Sequence, residues 1–315
     1  MTDPETRVPM RTIVGQWSRI GITGFGGPPA HIALLRQLCV QRRGWLSDRE
    51  FEDGVAATAL LPGPASTQLA IFCAWRLRGR AGGLIGGACF ILPGLVVILG
   101  LSVLLLSGHP SRLVLGAAAG AGAAVAAVAA QAAAGLIPAS WRRARASRAG
   151  AGRWIGSAVA GAAAAVTIGP WLVLVILAAG GMEALARGHR WRPRAAGLPP
   201  MLWSGAGIGG LVWTAFKVGA LSYGGGFVII PLMRSDAVGR HHWMTGSQFL
   251  YAVALGQITP GPVVQTVAVV GYAAAGLIGG VVAAVVAFAP SFVFVLAGGA
   301  HFDRLRANEV VQAFL

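Results

Sequence analysis

The sequence predicts an all-α polytopic membrane protein built from two homologous, inverted repeats with broken helices. Two observations carry this prediction. Of the 315 residues, 56% are hydrophobic and only 11% are charged, whereas soluble domains carry about 25% charged residues. A helix-breaking Pro-Gly-Pro triplet also occurs twice inside apolar segments, at residues 62–64 and 260–262. Irregular backbone at membrane depth is tolerated only where it is buried in protein or lines a cavity, so the triplets are the leading candidates for a binding site.

The apolar segments give the expected order of elements. Those of the first half lie at about residues 12–35, 51–75, 81–107, 112–138 and 154–182. Those of the second half lie at about residues 202–233, 249–273 and 276–300. Glycine-rich sequence interrupts the first segment of each half, and a Pro-Gly-Pro triplet interrupts the second. The expected division is a first repeat at 12–185, a basic linker at 186–201 and a second repeat at 202–315.

The two halves align without a gap from about residue 19 to residue 74. Pro62 and Pro260 are 198 positions apart (260 − 62), and the same offset pairs residues of turns and loops. The pairs include Gly21 with Gly219, Phe25 with Tyr223, Arg36 with Arg234, Trp45 with Trp243, and Phe51 with Phe249. Chance similarity between apolar helices would not align loop residues as well. The sequence therefore predicts an internal duplication, which is common in secondary transporters.

The relative orientation of the repeats follows from the number of spans between them. If each apolar segment crosses the membrane once, five spans separate equivalent points, and an odd number inverts the second copy. The arginines of the loops show a modest excess on the predicted inner side, which also supports inversion. A re-entrant hairpin in place of one span would change this parity.

The second half is also expected to be shorter than the first. After Pro93 the first half continues with two further apolar segments, whereas 25 residues follow the matching Pro290. Relative to a complete duplicated protein, the chain is expected to lack its C-terminal spans.

Composition also excludes several function classes. The net charge of +15 comes from arginines spread over short loops, which is typical of residues that set membrane orientation, so the expected surroundings are the lipid bilayer and no nucleic acid. The three cysteines have no metal or redox spacing, and no cofactor or metal is predicted. His31, beside the first glycine-rich turn, is interpreted as a packing or interfacial residue. No acid–base pair or metal set lies in the apolar segments, which argues against an enzyme.

One cation occupies the same aligned position in each half, Arg19 in the first and Lys217 in the second. Lys217 is the only lysine, and no acid lies near it in sequence. A buried cation without a partner costs several kcal/mol, so an anionic ligand is expected to supply the countercharge. The alternative is that both side chains extend to the membrane interface.

The glycine-rich turns and the helices after the triplets offer groups that bind anions. Glycines permit a bend that exposes backbone N–H groups, and a helix N-terminus attracts negative charge. Hydroxyl and amide side chains follow each triplet, with capping or helix–helix hydrogen bonding as the alternative role. The predicted binding set is Arg19, Gly24, Gly26, Gly27, Pro62, Gly63, Pro64, Ser66, Thr67, Gln68, Lys217, Tyr223, Gly224, Gly225, Pro260, Gly261, Pro262, Gln265 and Thr266.

Together these motifs resemble the chromate ion transporter family in its long-chain, two-domain form. The resemblance covers about residues 15–105 and 210–306. Its first-half motifs are Phe25-Gly-Gly-Pro28, Ala30-His31, Trp45-Leu46-Ser47, Leu61-Pro-Gly-Pro64 with Ser66-Thr67-Gln68, and Phe90-Ile-Leu-Pro93. Its second-half motifs are Ser222-Tyr-Gly-Gly-Gly226, Trp243 and Gln257-Ile-Thr-Pro-Gly-Pro262.

The resemblance implies export of chromate from the cytoplasm across the bacterial inner membrane, with sulfate as a related oxyanion. The expected function is a secondary transporter coupled to an ion or a proton. The alternative is an inactive, shortened relative or a membrane scaffold without transport, and a homodimer stays open.

Overall fold

The computed structural model describes residues 8–106, 111–145, 148–167, 175, 178–182, 207–222 and 229–298. Every regular element within these residues is helical, which confirms the predicted all-α class. Two segments, Ala65–Leu106 and Val263–Gly298, are long and apolar enough to cross a membrane. The expected linker at 186–201 lies outside the described residues.

Helices follow one another with short connections in both halves. The helices of the first half are α1 (Met10–Thr23), α2 (Gly27–Arg36), α3 (Asp48–Leu60), α4 (Ala65–Leu106), α5 (Arg112–Ala144) and α6 (Arg148–Thr167). Those of the second half are α7 (Ile208–Ala220), α8 (Ile229–Arg234), α9 (Gly246–Ile258) and α10 (Thr266–Gly298). A π-helical turn follows α2 at Gln37–Arg42 and α8 at Ser235–Arg240, and a 3-10 turn at Val263–Gln265 precedes α10.

Several of these bounds recur at the offset of 198 residues. The helices α3 and α9 begin and end 198 positions apart, and so do the two π-helical turns. Both helices also start with reciprocal capping hydrogen bonds, Ser47 with Glu50 and Thr245 with Gln248. Such caps satisfy N–H groups that the first helical turn leaves without a partner. The Ser47 N–H is also the main cause that lowers the pKa of Glu50, with Arg76 acting in the same direction and burial opposing both.

The helix α4 reverses direction inside its range. Arg78 and Gly79 leave the helical conformation, with φ +64° at Gly79. A methyl group placed on Gly82 would overlap the Ala74 carbonyl oxygen, and one on Gly86 would lie 3.3 Å from Ile13 of α1. Residues 74 and 82 would be about 12 Å apart in a straight helix. Two antiparallel parts therefore result, α4a at residues 65–77 and α4b at residues 80–106.

The second half contains the same reversal in α10. Ala275 and Gly276 leave the helical conformation, with φ +63° at Gly276. Gly271 and Gly279 on either side of the turn approach so closely that a methyl group on one would overlap the carbonyl oxygen of the other. The two parts are α10a at residues 266–274 and α10b at residues 277–298.

The first Pro-Gly-Pro triplet lies at the tip of another hairpin, formed by α3 and α4a. Arg76 at the end of α4a forms an ion pair with Glu50 at the start of α3. Midway along the pair, a methyl group on Gly54 would overlap the Phe72 ring. Residue 63 is the midpoint in sequence of both contacting pairs, 50 with 76 and 54 with 72. It therefore lies at the tip of the hairpin. We call the extremity that holds Glu50 and Arg76 the Arg76 end.

The helices α1 and α2 form a second hairpin that starts from the Arg76 end. The Trp17 Nε1 of α1 donates to the Ala70 carbonyl at 2.8 Å, and the Arg78 side chain reaches the Val8 carbonyl at 3.4 Å. At the other end of α2, Arg36 pairs with Asp48 at 2.6 Å and with Glu52 at 3.2 Å. Both termini of this hairpin therefore lie at the Arg76 end, with the glycine-rich turn at its tip.

The segments at 12–35 and 51–75, for which the sequence allowed either one crossing or a re-entrant hairpin, each consist of two short helices. Each helix in them has 10–14 residues, and a helix of 14 residues is about 21 Å long. That is shorter than the roughly 30 Å of a bilayer core. Each segment folds back on itself instead of forming one continuous helix, so the count of apolar segments no longer gives the relative orientation of the halves.

The two long helices α4b and α10b pack antiparallel at the centre of the molecule. Near the start of α4b, a methyl group on Gly83 would lie 2.6 Å from Leu296 near the end of α10b. A methyl group on Gly87 would lie 2.6 Å from Phe292. At the other end, Gly280 packs against Leu99. The turn at residues 78–79 and the turn at residues 275–276 therefore lie at opposite extremities.

We predict that the close hairpin packing makes two glycines intolerant of alanine. Gly82→Ala and Gly279→Ala should each lower the unfolding temperature in detergent, because the added methyl group overlaps a backbone carbonyl across the hairpin. Overpacking of this kind costs about 1–3 kcal/mol. Gly100→Ala is the matched control, since a methyl group there meets no atom within 4 Å. Equal unfolding temperatures for all three variants would contradict the hairpin geometry.

Candidate functional site

The tips of the hairpins from both halves meet in the middle of the molecule. The Gly261 N–H of the second triplet donates to the Gly24 carbonyl of the first glycine-rich turn at 3.0 Å. A methyl group on Gly63 would lie 3.2 Å from Ser291 Oγ of α10b and 3.5 Å from the Gly219 carbonyl of α7. We call residues 24–27, 62–68 and 260–266, together with His31 and Ser291, the central junction.

The first triplet shapes one wall of the central junction. Gly63 has φ +123°, a conformation that favours glycine, so the chain turns between α3 and α4. The Gln68 Nε2 donates to the Pro62 carbonyl at 2.7 Å, and the Gln68 N–H donates to the Pro64 carbonyl at 3.1 Å. These bonds hold the turn against the first turn of α4. Ser66 and Thr67 in that turn are buried.

The second triplet forms the corresponding wall of the junction, but the side chains that follow it make different hydrogen bonds. Gly261 has φ +100°. The Gln265 Nε2 reaches into the first half and donates to the Ile91 carbonyl of α4b at 2.8 Å. The Thr266 hydroxyl donates to the Val263 carbonyl at 2.8 Å, which fits the alternative role of local capping. The Pro260 carbonyl packs directly on Gly94.

The glycine-rich turn of the first half starts α2 next to the second triplet. Gly26 has φ +96° and Gly27 has φ +72°. A methyl group on Gly27 would lie 3.8 Å from Val263. The N-terminus of α2 therefore faces the start of α10 across the junction. The corresponding residues of the second half, Tyr223, Gly224 and Gly225, lie outside the described residues.

Buried polar atoms without a hydrogen-bond partner concentrate at this place. Among the described residues, six buried side-chain atoms have none. They are Thr67 Oγ1, Gln68 Oε1, Ser222 Oγ, Gln257 Nε2, Gln265 Oε1 and Ser291 Oγ. All belong to the junction or to the ends of α7 and α9 that lead to its tips. Buried polar groups normally find a partner, so this cluster indicates a site for a polar ligand.

His31, which the sequence analysis interpreted as a packing or interfacial residue, lies inside the same cluster. It is fully buried, its Nδ1 lies 3.2 Å from Ser66 Oγ, and its Nε2 lies 3.0 Å from the Gly24 carbonyl oxygen. Its ring packs edge-on against Phe90 at 5.0 Å between centroids. Ser291 was not among the predicted site residues, and its position next to Pro290 was the only signal for it in the sequence.

Lys217 requires a correction, because the structure gives it an acidic partner. Lys217 Nζ forms an ion pair with Asp236 Oδ2, and the Thr214 hydroxyl donates to the same oxygen at 3.0 Å. Trp213 packs against the lysine with its ring centroid 5.8 Å from Nζ. The expectation that Lys217 lacks a partner in the protein was wrong, because the π-helical turn after α8 brings Asp236, 19 positions away, to α7.

Arg19 forms no ion pair among the described residues. It is exposed on α1 and its backbone carbonyl accepts the Thr23 hydroxyl at 2.9 Å. The position equivalent to Asp236 in the first half is Leu38 (236 − 198), so no acid matches it there. Within the described residues no group of three His, Cys, Asp or Glu side chains could hold a metal ion.

Comparisons with known proteins agree on one family. A family model described as "Chromate transporter" matches residues 11–183 and 209–315. The chain is 30% identical over 328 residues to the chromate transport protein of Pseudomonas aeruginosa, covering 96% of this chain and 76% of that protein. It is 30% identical over 324 residues to the chromate transport protein of Cupriavidus metallidurans, covering 97% and 78%. A shorter match to the uncharacterized transporter YwrB of Bacillus subtilis is 36% identical over 93 residues, covering 30% and 47%. No solved structure matches.

The Lys217–Asp236 pair generates a stability prediction. Lys217→Ala should lower the unfolding temperature in detergent, because it leaves a carboxylate that is 7% exposed without its cation. Removing one partner of a buried pair costs roughly 3 kcal/mol. The double variant Lys217→Met with Asp236→Leu should recover most of this loss, since it removes both charges. An unchanged unfolding temperature in Lys217→Ala would show that the ion pair does not stabilise the fold.

Proposed function

Because the chain belongs to the chromate transporter family, we propose that this membrane transporter carries chromate, or a related tetrahedral oxyanion such as sulfate, out of the cell across the bacterial inner membrane. Two relatives that match it over nearly the whole chain are named chromate transport proteins, and these names support the choice of chromate. Export, with the substrate gradient or an ion gradient as the driving force, is the direction that we propose.

The proposal includes two inverted repeats. Its support is the offset of 198 residues in the bounds of α3 and α9 and the antiparallel packing of α4b and α10b. An antiparallel pair of equivalent helices is what a two-fold axis in the membrane plane produces. Each repeat then contributes two hairpins that enter from its own side of the membrane. Inverted repeats with broken helices at the midplane are a recurring design of secondary transporters.

The binding site in this proposal is the central junction, and the cluster of unpartnered polar atoms is the observation that carries it. Thr67 and Ser291 can donate hydroxyl hydrogens to an oxyanion. Gln68 and Gln265 each use one amide hydrogen on a backbone carbonyl, and an amide group has a second to offer. A tetrahedral anion offers only acceptors, so it would pair with these hydroxyl and amide hydrogens, whereas Gln68 Oε1 and Gln265 Oε1 are acceptors and would face other donors.

Helix N-termini would balance much of the anion's charge. The helices α2, α4 and α10 begin at the junction, and the N-terminus of a helix carries about half a positive charge in its free N–H groups. Lys217 lies two residues before Gly219, which borders the junction. In this proposal it contributes at longer range, with its charge shared by Asp236, and Arg19 contributes from the surface of α1.

Transport would require the junction to open to each side in turn. Two hydrogen bonds between the halves that the described residues form at the junction are Gly261 N–H to the Gly24 carbonyl and Gln265 Nε2 to the Ile91 carbonyl. Rocking of one set of hairpins against α4b and α10b would expose the anion to one side at a time. The buried glycine contacts between α4b and α10b provide a close-packed axis for this motion.

Substitution of the hydroxyls at the junction tests the proposed site. Thr67→Val and Ser291→Ala should each weaken chromate binding to the purified chain by about 10- to 100-fold, since a hydrogen bond to a charged group contributes about 1.5–3 kcal/mol. Chromate uptake into vesicles should fall in parallel. The unfolding temperature of Ser291→Ala should stay equal or rise, because the variant removes a buried hydroxyl that has no protein partner.

Ser102→Ala is the matched control for these variants. Ser102 is buried in α4b, and its hydroxyl donates to the Ile98 carbonyl at 2.6 Å within the same helix. Its substitution should leave chromate affinity unchanged. Wild-type affinity in both junction variants would remove the junction from the function, and a well-folded wild-type chain without any oxyanion transport would refute the function itself.

A further inference from the structure

His31 is the titratable side chain of the central junction, and both of its ring nitrogens are engaged. Nε2 lies 3.0 Å from the Gly24 carbonyl oxygen and Nδ1 lies 3.2 Å from Ser66 Oγ. The same Gly24 oxygen accepts the Gly261 N–H from the second half. His31 therefore contacts the first turn of α4 and the bond that joins the two halves.

The chemistry of these two neighbours fixes the tautomer of neutral His31. A carbonyl oxygen can only accept, so Nε2 must carry the hydrogen and donate it to Gly24. Nδ1 then has a lone pair, and the Ser66 hydroxyl donates to it. In this state the hydroxyl of Ser66 is used inside the protein and cannot donate to a ligand.

Protonation reverses the second bond and releases a donor. A proton taken from solvent binds the Nδ1 lone pair, and Nδ1–H then donates to Ser66 Oγ. The Ser66 hydrogen turns away from the ring and becomes available to an acceptor beside Thr67 and the first triplet. One proton therefore adds a positive charge and one hydrogen-bond donor to the junction, and both favour an anion.

Among the described residues, no charged side chain forms a hydrogen bond or an ion pair with His31 that could compensate an imidazolium. The described elements packed against His31 present the Gly24 carbonyl from the end of α1, the Ser66 hydroxyl from α4a and the Phe90 ring from α4b. The Gly261 N–H faces the same carbonyl from the second half. A buried charge without a partner is costly, so imidazolium and anion stabilise each other there.

We propose that His31 is the coupling residue of the transporter, and that it takes up one proton when the oxyanion binds and releases it when the anion leaves. This inference rests on the proposed function. Binding linkage is reciprocal, so the anion raises the proton affinity of His31 by the same factor by which the proton raises anion affinity. Proton and anion then move in the same direction.

The coupling group occurs in one half only. The position equivalent to His31 is Ile229 (31 + 198), which is apolar and buried. The anion site is shared by both halves, but the first half alone contributes a histidine at this position. One proton per anion is the expected stoichiometry of this residue.

Vesicles with a trapped pH indicator test the proposal when chromate flux and proton movement are recorded together. The wild-type chain should move protons with chromate. His31→Asn keeps an amide near Ser66 but cannot titrate, and it should transport chromate with about one proton fewer per anion. Chromate itself binds protons near neutral pH and contributes equally in both proteins. The difference in protons moved per chromate between the wild-type chain and His31→Asn is therefore the proton carried by His31. His242→Asn, at an exposed histidine with φ +53°, should match the wild type.

Equilibrium binding keeps the proposal testable if His31→Asn does not fold. Calorimetry of chromate binding to the wild-type chain, in buffers of different ionisation heat and at a pH where chromate is fully dianionic, should show uptake of a proton. Chromate affinity should fall by up to about tenfold per pH unit above the pKa of His31. Binding without proton uptake, or an unchanged proton-to-anion ratio in His31→Asn, overturns the proposal. A wild-type chain that neither binds nor moves chromate overturns the proposed function instead.

Discussion

Two breaks in apolar helices meet at the centre of this molecule, and a backbone hydrogen bond from Gly261 to Gly24 joins them. A broken helix exposes N–H and C=O groups that lipid cannot satisfy. The breaks must therefore be buried in protein, and each half buries the breaks of the other. The contacts of Gly63 with Ser291 and of Gly94 with Pro260 show this exchange. The meeting of the tips thus fixes the packing of the halves and creates the polar junction at once.

Small residues allow the helices to pack closely enough for the hairpin tips to meet. Lipid does not drive helices together as water does, so close packing of small side chains stabilises helix contacts in membranes. Gly82 and Gly279 let the hairpins of α4 and α10 close, and Gly83 and Gly280 let the two hairpins pack on each other. The unpartnered hydroxyls and amides at the tips are exceptions to a well-packed interior. Their concentration in one place is easier to explain by a ligand than by poor packing.

The sequence predicted the all-α class and the elements of the site that depend on local chemistry. A Pro-Gly-Pro triplet must break a helix wherever it lies, and α3 ends before the first triplet while α4 begins after it. The sequence also predicted a break between the segments at 51–75 and 81–107, and the reversal at Arg78 and Gly79 lies there. Lys217 and Asp236 escaped prediction, since their pairing depends on how α7 and α8 fold back. The contact of His31 with Ser66 was not predicted for the same reason, as only the fold brings Ser66, 35 residues away, to its ring.

The central claim is that the oxyanion binds where the hairpin tips of the two halves meet. The most direct test is a structure of the chain with chromate, in which the anomalous scattering of chromium marks the anion. We predict a chromium peak at the junction, with chromate oxygens within hydrogen-bonding distance of the Thr67 and Ser291 hydroxyls. A peak at Lys217 or at the arginines of the Arg76 end, with none at the junction in a chain that transports chromate, would contradict it.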